Sequence, residues 1–476
     1  MKYTPRTKPF PHQSRATIQA LRQRNHAVFF EPRLGKTKVA LDWAAVLSLK
    51  GEVERVLVLA PRIALDVWEA EMYKHFPYSY HSETFTHEWG DPSRGGVETK
   101  PTRFFLAGRE ETMRATRVKG KLIRPKQKEL ENWRPDAIII DESHEYKRPG
   151  ARGAQDCWRL VARLRQRRSD DRPYVLLLTG TPSAKGWRDI FAQFRIMDPS
   201  LLGTNASHFD DRYCVYGQGP RKYTVIRYRN LKQLTSIIDA HSSSCTADEA
   251  HLSGKISWQI LPAQLPAPIR KHYDEMAENF VTEIGDQLIT AANVGVKRLR
   301  LLQITGGFTT DGTLLHRAKI ETMRQYLQLL YEQQESVVVY ARFTPEVTAL
   351  TALCQSLKFS TFRVDSSTRS QRAQYIAQFQ AHKKPAAIVA QVQALSRAVE
   401  LTSAAEVVFY GLPDGWVDFF QALNRVRGPN QKRPVRITAI CCRDTVDRSV
   451  LYGLRMKEDI HRLLLKDPQR FLRGGY

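Results

Sequence analysis

Apolar positions along the chain follow two alternating periods. Short unbroken apolar runs at residues 27–30, 55–60, 104–107, 137–140 and 174–178 have the length and β-branched or aromatic character of buried strands. Between them run stretches of helical spacing: Ala40, Trp43, Ala44 and Leu47 fall at i, i+3, i+4 and i+7 within 38–49, and 67–72 and 158–168 follow the same register. The second half repeats the alternation, with strands expected at 336–342, 361–365, 386–390, 406–410 and 435–440 and a helix at 371–379. Repeated strand–helix units predict an α/β fold, each lobe a parallel sheet with right-handed crossovers and flanking helices. A chain of 476 residues is too long for one core. We expect a first lobe over 1–230, a helical insertion and linker over 231–310, and a second lobe over 311–476. Residues 78–100 are polar and turn-rich and read as a loop or variable insertion. Ser242-Ser243-Ser244 reads as a connector, 260–268 as a proline-rich junction and 269–288 as an amphipathic helix, with helical character again at 297–302.

Chemistry concentrates where two of these strands end. Gly35-Lys36-Thr37 sits between the 27–30 strand and the helix that follows. A glycine there lets backbone N–H groups approach a phosphate, and the helix N-terminus adds its positive dipole end. Lys36 would reach the β- and γ-phosphates, the Thr37 hydroxyl would ligate Mg²⁺, and Lys38 belongs to the same cofactor-binding group. The full loop pattern asks for glycine five residues before Gly35, where Phe30 stands, and a Gly-Lys-Thr triplet also suits an ordinary polar helix start. Gln13, just before a helical run, could hydrogen-bond an adenine edge or lie at the surface. The 137–140 strand delivers Asp141 and Glu142 at its C-terminal end, where open α/β sheets bind ligands. Asp141 is placed to hold Mg²⁺, and Glu142 to orient and deprotonate an attacking water. Thr179-Gly180-Thr181, ending the 174–178 strand, can relay between a nucleotide site and a second ligand site.

Charge narrows the partner. The formal net charge is +24, from 73 basic and 49 acidic residues, and such a balance favours a polyanion, most often nucleic acid. Residues 117–128 hold six basic residues and no acid. Of these, Lys119, Lys121, Arg124 and Lys126 are candidates to track a phosphate backbone, or else form a solvated loop. The arginine-rich helix at 158–168 is open to the same two readings. No apolar run approaches the roughly 20 residues of a membrane span, and the first ten residues lack a signal core. The expected location is cytoplasmic or nucleoid-associated, or the host cytoplasm for a viral protein. The six cysteines form no Cys-x-x-Cys pair, so free thiols are expected.

Taken together, the motifs resemble those of superfamily 2 helicase-like motors, most closely the Swi/Snf group. Asp141-Glu142-Ser143-His144-Glu145-Tyr146-Lys147 resembles that group's second motif, and Leu177-Leu178-Thr179-Gly180-Thr181-Pro182 its third, with Ile196-Met197-Asp198-Pro199 downstream. Phe209 to Cys214 resembles a segment that often follows. Gln421-Ala422-Leu423-Asn424-Arg425 and Gln431-Lys432-Arg433-Pro434-Val435 resemble the sixth motif. The likeness runs from about residue 10 to about 451. It implies two tandem RecA-like lobes, an ATP-hydrolysing site using Mg²⁺, coupling through His144, Thr179, Gly180, Thr181 and Gln421, and an arginine finger from the second lobe. The chain departs from the pattern at Pro32 and Arg33, in a fifth motif bearing Ser396, Ala398 and Glu400, and at Gly428, where the second arginine is usual. The finger is therefore either Arg425 or Arg427. The implied activity is a nucleic-acid-stimulated ATPase that translocates on double-stranded DNA. An RNA-remodelling ATPase and a non-hydrolysing, ATP-gated DNA clamp are the alternatives.

Overall fold

The computed structural model describes residues 3–466, except 87, 92–99, 119–120, 168–169, 171, 184–185, 219–224, 248, 251–255, 280, 285–286, 291–293, 383–384, 396–399, 414 and 428–429. It divides into two compact units, one built on Met1–His251 and the other on Leu252–Asp459.

The first unit is an eight-stranded sheet. Its strands are β1 (His26–Phe30), β2 (Arg55–Ala60), β3 (Tyr80–Glu83), β4 (Glu88–Asp91), β5 (Thr102–Gly108), β6 (Ala137–Asp141), β7 (Tyr174–Leu178) and β8 (Ser242–Cys245). Their spatial order is β8-β1-β7-β6-β2-β5-β3-β4. All neighbours are parallel except the β3–β4 hairpin. The unbroken apolar runs occupy its centre: Ile138, Ile139 and Ile140 have no exposed surface, with Ile140 between Leu59 of β2 and Leu177 of β7. Burying each such side chain contributes roughly 1.5–3 kcal/mol. Helix Lys36–Leu49 is apolar nearly all round and is buried accordingly.

The second unit carries a six-stranded sheet: β9 (Ile256–Ala263), β10 (Val337–Ala341), β11 (Ser360–Val364), β12 (Ala386–Gln391), β13 (Glu406–Phe409) and β14 (Val435–Cys442). The order β9-β14-β13-β10-β12-β11 is parallel throughout. Each lobe is thus a parallel sheet with flanking helices, as expected.

Four stretches differ from the sequence expectation. Within 78–100, β3 pairs with β5, and its buried Tyr80 and Ser82 both donate to Glu69, at 3.3 and 2.6 Å. Its sequence, Tyr-His-Ser-Glu, buries too little apolar surface to show as a strand. The serine connector is edge strand β8, joined to β1 through backbone pairing that needs no apolar side chain. The proline-rich junction is edge strand β9, where Pro262 is tolerated because one side of the strand carries no ladder. The 269–288 helix stops at Asn279, and Val281–Ile284 and Gln287–Thr290 form a hairpin instead, in keeping with their β-branched content. As a result, residues 231–310 do not form a layer of their own. They supply β8 to one sheet and β9 to the other, and helix Val294–Gly306 sends Leu301 and Ile304 into the second core. The boundary between units falls at 251/252.

All six cysteines are free and buried. Among the described residues no helix is long and apolar enough to cross a membrane.

Candidate nucleotide site

The loop between β1 and helix Lys36–Leu49 is held by groups from several elements. Gly35 caps the helix at φ 77°, ψ 42°. A Cβ there would lie 2.2 Å from Gln13 Nε2, so both the left-handed backbone and the available space require glycine. Gln13 Nε2 donates to the Leu34 carbonyl at 3.0 Å, and its Oε1 accepts from the Phe10 N–H at 2.9 Å. An amide carries two N–H bonds and two lone pairs, so one of each remains for a base edge. His12 Nε2 also lies 3.0 Å from the Leu34 carbonyl. Burial lowers the His12 pKa, which favours a neutral ring able to donate there. Glu31 accepts from the Ala247 N–H at 2.9 Å, tying the loop to the chain beyond β8. His12 and Glu31 were not read from sequence, because both act through distant backbone groups.

Lys36 Nζ donates to the carbonyls of Phe30 and Glu31, at 3.0 and 3.4 Å, within the loop itself. The first intrahelical bond runs from Val39 N–H to the Gly35 carbonyl, which turns the amides of Thr37 and Lys38 toward the helix N-terminus. The Lys38 side chain is placed differently from the expectation. It is 3% exposed and ion-paired with Asp42 one turn on, and Asp42 also accepts from Tyr3 OH at 2.6 Å. A buried ammonium needs such a partner, so what Lys38 can offer a nucleotide is its backbone N–H.

Asp141 and Glu142 stand at the C-terminal end of β6. Asp141 Oδ2 accepts from Trp68 Nε1 and Oδ1 from the Glu142 N–H, both at 3.0 Å. Burial, then the charge of Glu142, raises the Asp141 pKa to about 6, while Lys36 and the two donors oppose the rise. Glu142 itself adopts φ 51°, ψ 48°, a region sparsely populated by non-glycine residues and characteristic of functional sites.

From Glu142 a polar bridge crosses to the third motif. His144 Nδ1 lies 3.1 Å from Glu142 Oε2 and 2.9 Å from Thr179 Oγ1. Thr179 Oγ1 accepts from the Thr181 N–H at 3.1 Å, and the Thr179 N–H reaches the Val28 carbonyl of β1. Ser143 donates to Gln193, which donates to the Pro182 carbonyl at 2.7 Å. Gly180 closes the contact with the loop: a Cβ there would meet Pro32 Cδ at 2.9 Å and the Phe30 carbonyl at 3.1 Å. We expect Gly180→Ala to cost about 1–3 kcal/mol through overpacking and to weaken nucleotide binding, as read by thermal unfolding with and without ATP.

In the second unit, Gln421 is buried on helix Trp416–Leu423, and Arg425 and Arg427 follow on the turn beyond it. Arg427 Nη1 donates to Asn424 Oδ1 at 3.3 Å, and the Arg425 carbonyl accepts from the Leu401 N–H at 2.9 Å. Gln431 Nε2 stitches this turn to the carbonyls of Ala404, Val426 and Thr402 at 2.7, 3.0 and 3.2 Å. Glu400 accepts from Asn430 Nδ2 at 2.9 Å, which gives this departure from the fifth motif a structural task. Ser396, Ala398 and Gly428 lie outside the described residues.

Of the basic candidates, Lys119 lies outside the described residues, as does the side chain of Lys121. Arg124 pairs with buried Asp156 at 2.8 Å, and Lys126 stands over the Phe85 ring at 4.1 Å.

Residues 6–184 match the family model of the res subunit of type III restriction enzymes, and 318–428 that of the helicase conserved C-terminal domain. A SWI/SNF-related matrix-associated actin-dependent regulator of chromatin, the subfamily A-like protein 1 of Drosophila melanogaster, is 24% identical over 336 residues, 68% of this chain and 40% of that protein. The DNA annealing helicase and endonuclease ZRANB3 of Mus musculus is 24% identical over 470 residues, 96% of this chain and 40% of that one. Putative protein p41 of Acyrthosiphon pisum secondary endosymbiont phage 1 is 24% identical over 491 residues, 97% of this chain and 99% of that one. This chain therefore spans two fifths of the length of the first two relatives and nearly all of the third. Matching domain models on both units and the SWI/SNF-related relative support a superfamily 2 helicase-like ATPase of the Swi/Snf type.

Proposed function

We propose that this protein hydrolyses ATP under stimulation by nucleic acid and uses the turnover to translocate along double-stranded DNA without full strand separation. The observation that carries the ATPase reading is the convergence on one parallel sheet of Lys36, Asp141 and Glu142, with Glu142 held by His144. The site fits a nucleotide with its cation. Gly35 leaves a cradle that a Cβ would fill, and Thr37 and Asp141 supply the hard oxygen donors that Mg²⁺ prefers. Thr37 and Asp141 would hold the Mg²⁺, which would supply positive charge to offset that of the phosphates. Lys36 exchanges its loop carbonyls for phosphate oxygens, and Glu142 orients the attacking water and takes its proton. Arg425 or Arg427 offsets charge developing on the transferred phosphoryl group.

The choice of DNA is supported by the net charge of +24 and by the name of the mouse relative, a DNA annealing helicase. ATP turnover measured with no nucleic acid, single-stranded DNA, duplex DNA, forked DNA and RNA tests the proposal. Stimulation by duplex DNA, with triplex displacement but no fork unwinding, supports it. Stimulation by RNA alone favours RNA remodelling, and tight ATP binding with no turnover favours the clamp.

The raised pKa of Asp141 sets a pH dependence. A ligand carboxylate must be ionised to bind a cation. With a midpoint near pH 6, Asp141 is mostly protonated at pH 5 and mostly ionised at pH 7. Apparent Mg²⁺ affinity should be about tenfold weaker at pH 5 than at pH 7, a change that Mg²⁺ titrations of nucleotide binding at the two pH values would measure.

A further inference from the structure

Two basic stretches that are separate in the sequence come together on the first unit. Helices Pro125–Trp133 and Arg152–Gln166 border a groove lined by Arg124, Lys128, Arg159, Arg163 and Arg167, with the carboxylates of Glu131 and Asp156 between them. On the second helix, Arg152, Asp156, Arg159, Arg163 and Arg167 recur every three or four residues and form one stripe, while Ala154, Cys157, Leu160, Val161 and Leu164 face the core.

The carboxylates do more than balance charge. Asp156 is 2% exposed and receives Arg124 through Nε and Nη2 at 2.9 and 2.8 Å. Glu131 receives Arg163 Nε at 2.6 Å and Arg167 Nη2 at 3.0 Å, and Arg163 Nη2 also reaches Gln127 at 3.0 Å. These bonds fix guanidinium planes along the groove before any ligand arrives. Arg152 and Arg159 stand farther from Asp156, at 3.9 Å each, with 62% and 54% of their side chains exposed. Among the described residues the lining holds five cations against two carboxylates, an excess of positive charge.

From Arg152 to Arg167 the stripe runs about 22 Å at 1.5 Å per residue, long enough to follow a charged polymer over several units. It lies outside the nucleotide loop, on the two helices that precede and follow β6 in the chain. Arginine forks suit phosphate oxygens, and among the described residues the lining shows no aromatic platform for bases.

We infer that this groove binds the phosphodiester backbone of nucleic acid, without regard to sequence, as a contact additional to the nucleotide site. The inference rests on the proposed DNA-dependent activity. Its test uses the full chain carrying Arg152→Gln and Arg159→Gln together, chosen because both side chains are exposed on the stripe and neither belongs to the nucleotide site described above. Relative to the unaltered protein, the variant should keep its ATP turnover without nucleic acid. It should bind duplex DNA several-fold more weakly at ~0.1 M salt, with a log K versus log[salt] slope shallower by about 1–2, since each lost phosphate contact removes roughly 0.9. The Arg152→Lys, Arg159→Lys variant, which keeps both charges, should recover most of the slope. Affinity and slope equal to those of the unaltered protein, with DNA stimulation intact, would overturn the inference alone. Absence of DNA binding by the unaltered protein would overturn the functional proposal instead.

Discussion

Replacing Glu142 by glutamine should lower ATP turnover by about 10²–10⁴-fold and leave ATP affinity within a few-fold of the unaltered protein. The glutamine keeps the size of the side chain and a polar atom facing His144 Nδ1, now 3.1 Å from Glu142 Oε2. It removes only the basicity that accepts the proton of the attacking water. Because the Glu142 backbone is already turned to φ 51°, a near-isosteric change leaves the turn itself unaltered. Steady-state phosphate release, paired with equilibrium binding of a fluorescent ATP analogue, separates the two effects. Turnover equal to that of the unaltered protein would refute the assignment of Glu142 as base.

The larger loss should come from the second unit. An arginine finger contributes about 10³–10⁵ in rate, so of Arg425→Ala and Arg427→Ala, one should lose turnover on that scale and the other far less. Lysine at the finger position should rescue little, because a point charge lacks the planar fork that spans two phosphate oxygens. The backbone of the turn is held independently, through the Leu401 N–H on the Arg425 carbonyl and the three bonds of Gln431, so truncating either side chain leaves the turn in place. Single-turnover rates at saturating DNA are the measurement. If both alanine variants stayed within tenfold of the unaltered protein, the finger assignment would fall.

What the sequence made legible follows from how locally each feature is encoded. Ile138-Ile139-Ile140 ending in Asp141-Glu142 announces a central strand within five residues, and the structure has that strand with the two carboxylates at its C-terminal end. Gly35 was legible for the same reason. Features encoded by partners far along the chain were not. Nothing near Lys38 says that Asp42 will claim its ammonium inside a packed helix face, and nothing near Gly180 says that Pro32 will press against it. Strands β3, β8 and β9 escaped for a different reason. Each lies toward the margin of a sheet, where backbone pairing suffices and side chains can be polar or even proline. Lys126, read as a candidate to track a phosphate backbone or else as part of a solvated loop, stands over the Phe85 ring, a pairing between segments some forty residues apart.

The six free thiols have a practical consequence. Cys157, Cys214 and Cys245 belong to the first unit and Cys354, Cys441 and Cys442 to the second, and burial pushes each thiol up to between about 11 and 12. Thiolates are the reactive species, so maleimide chemistry on the native fold finds almost nothing to attack. A single cysteine introduced at an exposed position can therefore carry a fluorophore with all the natural ones left in place, without first rebuilding either core.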